Sequence, residues 1–195
     1  DPVQLIPTKL AGVFIVEATA HADERGLFAR TFDASVFTGA GLPAHWPQCN
    51  TSFNHRRGTL RGLHYQAEPK GEPKLVRCTR GAVFDVAVGL RDGSVTRHQW
   101  IGVELSADNR RALFIPTGLA HGFLTLEDQS EVFYQMGETY DASLARGARW
   151  NDPAFQIEWP IAVTVISPRD AGYAVVVGDT RHDPHARRCG KLRRP

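Results

Sequence analysis

The apolar positions of this chain fall in short bursts of two-residue alternation and lack the three-to-four-residue rhythm of amphipathic helices. Residues 12–17, 74–79, 82–88, 99–105, 112–115, 122–126, 132–136 and 162–166 are rich in β-branched and aromatic side chains and are separated by Gly, Pro, Asp and Asn. That pattern predicts eight or more strands joined by tight turns. Only residues 34–39 and 142–146 suggest helical turns. With no alternation of strands and helices, the pattern predicts an all-β sandwich or barrel, most simply a jelly roll.

Strand parity then assigns faces. In residues 82–89, one face reads Ala82, Phe84, Val86, Val88 and the other Val83, Asp85, Ala87, Gly89, so an acid stands among small side chains. In residues 74–79, Lys74 shares a face with Val76 and Cys78. A two-residue turn at Arg80-Gly81 would join these runs as a hairpin, with Val76 opposite Asp85 and Lys74 one diagonal step away. Lys74 and Asp85 would then pair over the interior; the competing reading is a surface ion pair worth ~0–1 kcal/mol.

At 195 residues, with 42% apolar and 23% charged positions, the chain is expected to form one domain over 1–195 with a complete core. Its formal charge of +2 conceals a basic tail, about 181–195, which carries +5 and leaves the body near −3. The tail has no aromatic residue to stack on a base and no apolar face, so neither a nucleic-acid nor a membrane partner is expected. No apolar run approaches the ~20 residues of a membrane span, and the first residues do not read as a secretory signal. Cys49, Cys78 and Cys189 are too scattered for a disulfide framework or a paired metal-ligand spacing. A soluble, reducing, cytoplasmic setting is the expectation.

The chemistry centres on Arg61-Gly62-Leu63-His64-Tyr65-Gln66, where a lone histidine sits in a strand-like run beside an arginine. His64 shares its face with Gly62 and Gln66, and its imidazole is the natural base near neutral pH, especially with a carboxylate to orient it. A hydrogen-bonded structural histidine is the bland alternative. Tyr134 alternates with Val132 and Met136 and points inward, either as a core tyrosine or as an acid facing a base across a cavity. His121 invites a metal reading, but the first motif offers no His-x-His pair, and Glu68 or Glu72 would have to supply the missing ligand; no metal is expected. Arg25, Arg61 and Lys74 could meet phosphate oxygens, and Phe28 and Tyr140 could stack on a base.

These blocks, together with Asp23-Glu24-Arg25-Gly26-Leu27-Phe28, Gln48-Cys49-Asn50, Lys74-Leu75-Val76, Phe84-Asp85-Val86-Ala87-Val88, the run from Pro116 to Phe123, Trp150-Asn151-Asp152-Pro153 and Asp170, make the chain resemble dTDP-4-dehydrorhamnose 3,5-epimerases. The resemblance runs from about residue 10 to about residue 175. It implies a cupin-like jelly roll, a homodimer with no cofactor, and a nucleoside-diphosphate 4-keto-6-deoxyhexose as substrate. It further implies His64 as base, Asp170 as its partner, Tyr134 as acid on the other sugar face, and Lys74 with Asp85 beside the keto group. Arg25, Arg61, His121 and Arg169 would contact substrate, and Gln48, Asn50, Phe28 and Tyr140 would hold the nucleotide.

Three departures mark the chain. Arg30, Ala145 and Gly89 stand where the family usually has acids. They point to an altered nucleotide, sugar or extent of epimerisation. Arg30 either contacts an anionic group or lies outside the pocket. The alternatives are a C3-only or C5-only epimerase, a ketoisomerase, a catalytically silent sugar-nucleotide binder and a metal-dependent cupin oxygenase.

Overall fold

The computed structural model describes residues 2–176, so the basic tail and Cys189 lie outside the described residues. In chain order the elements are β1 (Gln4–Pro7), β2 (Phe14–Glu17), β3 (Ala20–Asp23), β4 (Gly26–Ala29), α1 (Ala34–Gly39), β5 (Gln48–Asn54), β6 (Leu60–Gln66), β7 (Lys74–Arg80), β8 (Ala82–Gly89), β9 (Trp100–Ser106), β10 (Ala112–Ile115), β11 (Leu119–Thr125), β12 (Ser130–Met136), β13 (Ala145–Gly147) and α2 (Pro168–Ala171). They form a six-stranded sheet, β1-β2-β10-β7-β12-β5, a five-stranded sheet, β13-β6-β11-β8-β9, and a separate β3-β4 hairpin.

The alternating pattern explains the layers. Inward-facing Val76, Cys78 and Val132 of the six-stranded sheet meet Val83, Ala87, Leu105 and Phe123 of the five-stranded sheet in one core cluster. The opposite parity also finds cover. Leu75 and Phe114 pack outward against Phe37 of α1, whose N-cap Asp33 accepts a hydrogen bond from Ser35 N at 2.9 Å. Val86 and Val88 pack outward beneath Phe155, Ile157 and Trp159. Strands buried on both faces read as near-continuous apolar runs, and β8 and β11 do so.

Three expectations need correction. Strands β7 and β8 do not form a hairpin: β7 is flanked by β10 and β12, β8 by β9 and β11, and the chain changes sheets at Gly81, whose φ is +73°. Residues 162–166 make only a single parallel bridge, Val165 to Thr59, because from Leu63 onward that edge of β6 is taken by β13 and Ala148. Residues 142–146 are not helical. The Asp141 carboxylate accepts from Ser143 N and Oγ, making a turn that delivers residue 145 to the edge of β6.

Candidate active site

The two sheets part at one end to leave a cavity of about 260 Å³ lined by Gln48, Asn50, Arg61, His64, Tyr65, Gln66, Glu72, Lys74, His121, Tyr134, Met136, Tyr140, Ala145, Arg146 and Arg169. Its walls come from both sheets. His64 and His121 are contributed by β6 and β11 of the five-stranded sheet, Lys74 and Tyr134 by β7 and β12 of the six-stranded sheet.

A bulge in β6 aims two of these side chains. Simple alternation would turn Arg61 and His64 to opposite faces, but the β6–β11 register shifts between His64↔His121 and Arg61↔Phe123, so Gly62 and Leu63 together oppose Gly122. The extra residue restores both side chains to the cavity. The strands approach so closely there that a Cβ on Gly62 would lie 2.7 Å from Gly122 Cα, and the φ of Gly62 is +118°.

His64 Nε2 lies 2.8 Å from Asp170 Oδ1, while Oδ2 accepts from Gly62 N at 3.0 Å. Asp170 is delivered by α2, where Ser167 caps the helix by accepting from Asp170 N. Burial opposes ionisation of this carboxyl, but the hydrogen bonds from His64 and Gly62 outweigh it and hold it below the usual carboxylate range. An ionised Asp170 requires the Nε2 proton on the imidazole, which leaves the lone pair on Nδ1. The ring's own side chain is 46% exposed, the exposure of a group that faces a cavity.

His121 and Asp85 form a second, deeper pair, Nε2 to Oδ1 at 2.6 Å, with side-chain exposures of 4% and 0%. Burial pushes the His121 imidazole below its ordinary value despite the Asp85 carboxylate, so it stands neutral. Lys74 is nearly as buried. Its Nζ donates to the His64 carbonyl at 3.1 Å, and its nearest carboxylate is Glu72 at 3.8 Å. The expected direct pairing of Lys74 with Asp85 therefore gives way to two pairs, because Asp85 is engaged by His121 on the adjacent β11 and Glu72, two residues before Lys74, supplies the nearer carboxylate. Tyr134 packs edge-on against His121, ring centroids 5.9 Å apart, and burial drives its phenol well above the ordinary range, so it keeps its proton.

At the rim, Arg61 is tied to Asn54 Oδ1 at 2.7 Å and Phe53 O at 3.2 Å, which engages only part of its fork of donors. Gln48 Oε1 accepts from Tyr140 N at 2.8 Å, and Gln66 accepts from Asp141 N, so both fix the loop that carries Tyr140. Arg169 completes the rim beside Asp170.

The structure does not bring Arg25 and Phe28 into this cavity. They stand on the β3–β4 hairpin, Arg25 paired with Asp23 and Phe28 75% exposed. Arg30 also lies elsewhere, 3.8 Å from Asp33. Gly89 does not line the cavity either: a Cβ there would meet Thr96 O at 2.7 Å, so the turn after β8 would have to shift to take an acid. Of the three departures, only Ala145 lines the cavity.

Sequence reading missed Arg146 as a wall residue and Glu72 as the neighbour of Lys74. The signal for Glu72 was present, since positions two apart in an extended segment share a face. Arg146 had no comparable signal. Among the described residues no group of three or more His, Cys, Asp or Glu is placed to hold a metal, and no helix is long and apolar enough to cross a membrane.

Residues 7–176 match the family model for dTDP-4-dehydrorhamnose 3,5-epimerase. The chain is 44% identical over 169 residues to the dTDP-4-dehydrorhamnose 3,5-epimerase of Shigella flexneri, covering 86% of this chain and 93% of the relative. Among solved structures it is similar to the dTDP-4-dehydrorhamnose 3,5-epimerase of Bacillus anthracis with TDP and PPi bound, at a TM-score of 0.86 and 36% identity over 90% of this chain and 100% of the other. It is likewise similar to the dTDP-6-deoxy-D-glucose-3,5-epimerase of Legionella pneumophila in complex with dTDP-4-keto-L-rhamnose, at a TM-score of 0.84 and 37% identity over 89% and 93%.

Proposed function

The chain belongs to the dTDP-4-dehydrorhamnose 3,5-epimerase family, and from that premise we propose that it inverts C3, C5 or both in a nucleoside-diphosphate 4-keto-6-deoxyhexose of the dTDP-4-dehydro-6-deoxyglucose type. The observation that carries this reading is that His64 and Tyr134 enter one cavity from opposite sheets. A base and an acid on facing walls can work on the two faces of a flat ring.

The proposed chemistry follows from the ketone. A proton on C3 or C5 becomes removable when the electrons left behind can move onto the C4 oxygen. His64 Nδ1 takes that proton, and Asp170 stabilises the imidazolium so formed. The enolate oxygen develops negative charge against Lys74, in a cavity where burial strengthens the interaction. Tyr134 returns a proton from the opposite side, which inverts the carbon. Each positioned proton-transfer group contributes ~10²–10⁴-fold. Because C3 and C5 both flank the ketone, one set of groups serves either.

The cavity volume of about 260 Å³ is below the ~300–1,000 Å³ that encloses a drug-sized ligand, which suits the sugar ring with the nucleotide lying over the rim. Arg61 and Arg169 then meet the diphosphate, and Gln48, Asn50 and Tyr140 the nucleoside. Arg25 and Phe28 belong to the same site in a homodimer whose β3–β4 hairpin reaches the partner's rim; their absence from their own cavity and their exposure support this. The described fold works as one catalytic domain, and the free thiols of Cys49 and Cys78 fit a reducing cytoplasm.

Proton NMR of dTDP-4-keto-6-deoxyglucose incubated with the protein in D₂O tests the reading. Deuterium at C3, C5 or both, lost with His64→Ala, is the expected result. Absence of exchange with this sugar and with its other nucleoside-diphosphate forms would overturn it.

A further inference from the structure

Glu72 is a cavity-wall carboxylate among cations, and nothing in the proposed reaction yet uses it. Its side chain and that of Lys74 are 7% and 6% exposed, with Oε1 3.8 Å from Nζ. The backbone between them is held. Pro73 fixes its own φ and favours an extended Glu72, and its carbonyl accepts from Gly137 N at 2.8 Å, where a Cβ on Gly137 would strike the proline ring. Positions 72 and 74 thus present their side chains to the same space.

Around Lys74 stand the His64 carbonyl from β6, Asp85 from β8, neutral His121 from β11 and Tyr134 from β12. Burial favours the uncharged amine. The Glu72 carboxylate is the strongest influence in the other direction, ahead of the more distant Asp85. Burial likewise disfavours the Glu72 carboxylate, with Glu138 adding to it, and Lys74 is its chief support. Burial prevails at both, so Lys74 stands below and Glu72 above its ordinary value, and each limits the displacement of the other.

We infer that Glu72 is a positioning residue for the reaction: its carboxylate keeps the Lys74 ammonium charged and fixed where the enolate oxygen forms, and so sets the alkaline limit of activity. The inference rests on the epimerase reading given above. A neutral amine could donate a hydrogen bond but could not balance an enolate, so loss of the carboxylate acts on turnover and acts most strongly as pH rises. The sign follows from charge: removing an anion beside Lys74 makes its proton easier to lose.

The test compares wild type, Glu72→Gln and Glu72→Asp in the deuterium-exchange and epimerisation assays across the neutral-to-alkaline range. Glu72→Gln is expected to move the descending limb down by about one unit, so that its deficit in kcat is small near neutrality and widens with pH toward ~10-fold above the limb, with KM almost unchanged. Glu72→Asp, which restores the charge, is expected to move the limb back. A deficit constant with pH, or a change in KM alone, would overturn the inference and make Glu72 a structural or sugar-contacting residue. A second measurement needs no turnover: carbamoylation of Lys74 by cyanate, followed by peptide mass spectrometry, is expected to run several-fold faster in Glu72→Gln than in wild type relative to Lys9 and Lys70. Equal rates would also overturn it. A wild type inactive on every sugar nucleotide, with the cyanate contrast intact, would sink the epimerase reading and leave the Glu72–Lys74 coupling standing.

Discussion

His64 and Asp170 stand 106 residues apart in the chain and meet with Nε2 2.8 Å from Oδ1. One belongs to a bulged strand and the other to a single turn of helix, and the second carboxylate oxygen is occupied by Gly62 N in the bulge itself. The proposed base, the carboxylate that would orient it and the bulge that aims it are therefore one assembly.

Asp170→Asn keeps the shape of this assembly but removes the charge that stabilises an imidazolium and permits the wrong tautomer. The expected loss is ~10²–10⁴ in kcat with a small change in KM. Steady-state kinetics checks it; a KM effect without a kcat effect would assign Asp170 to substrate binding.

Tyr134→Phe separates the two halves of the reaction. With the base intact, His64 can remove a proton and return one to the same face, so solvent deuterium should still enter the substrate while net inversion falls by ~10²-fold or more. Comparing deuterium uptake with product formation by NMR decides it. Equal loss of both would mean that Tyr134 acts before or during proton removal.

Much of this was legible in the chain. Two-residue alternation located β7, β8, β10, β11 and β12 and put Lys74, Asp85 and Tyr134 on inward faces, because a strand buried on one side must repeat every second residue. What alternation could not carry was which strands pair. The run from Lys74 through Asp85 reads as a hairpin, and only the edges claimed by β9, β10, β11 and β12 send its halves to different sheets. The bulge at Gly62 was equally hidden, since its cause is the approach of Gly122 from another strand. Position 170 was reached through family likeness alone, as nothing local joins it to residue 64.

The deeper pair gives a stability prediction. His121→Leu leaves the Asp85 carboxylate buried without its hydrogen-bond partner, and its Oδ2 already lacks one. Destabilisation of ~3 kcal/mol is expected, and adding Asp85→Val should recover more than half of it, because replacing both partners removes the stranded charge. Urea denaturation of the single and double variants measures the recovery. The wild type should also lose stability as pH falls below ~6.5: the folded state depresses the His121 value, so the unfolded chain binds the proton first, and His121→Leu should flatten that slope.

The hairpin supplies the most discriminating test of assembly. Arg25 and Phe28 lie outside the cavity of their own chain, on a hairpin that pairs only with itself among the described residues and leaves Leu27 and Phe28 to solvent. If those side chains complete a partner's site, each site takes its His64 from one chain and its Arg25 and Phe28 from the other, so in a dimer mixed from Arg25→Ala/Phe28→Ala and His64→Ala both defects fall in the same site. Each variant alone should be nearly inactive, and co-refolding or subunit exchange should restore activity, since a mixed dimer holds one cavity with an intact His64 and an intact hairpin above it. Two defects within one chain's own site could not complement in this way. Mixing that yields only the sum of the separate activities, with mixed dimers verified by native mass spectrometry, would return Arg25 and Phe28 to a role outside catalysis.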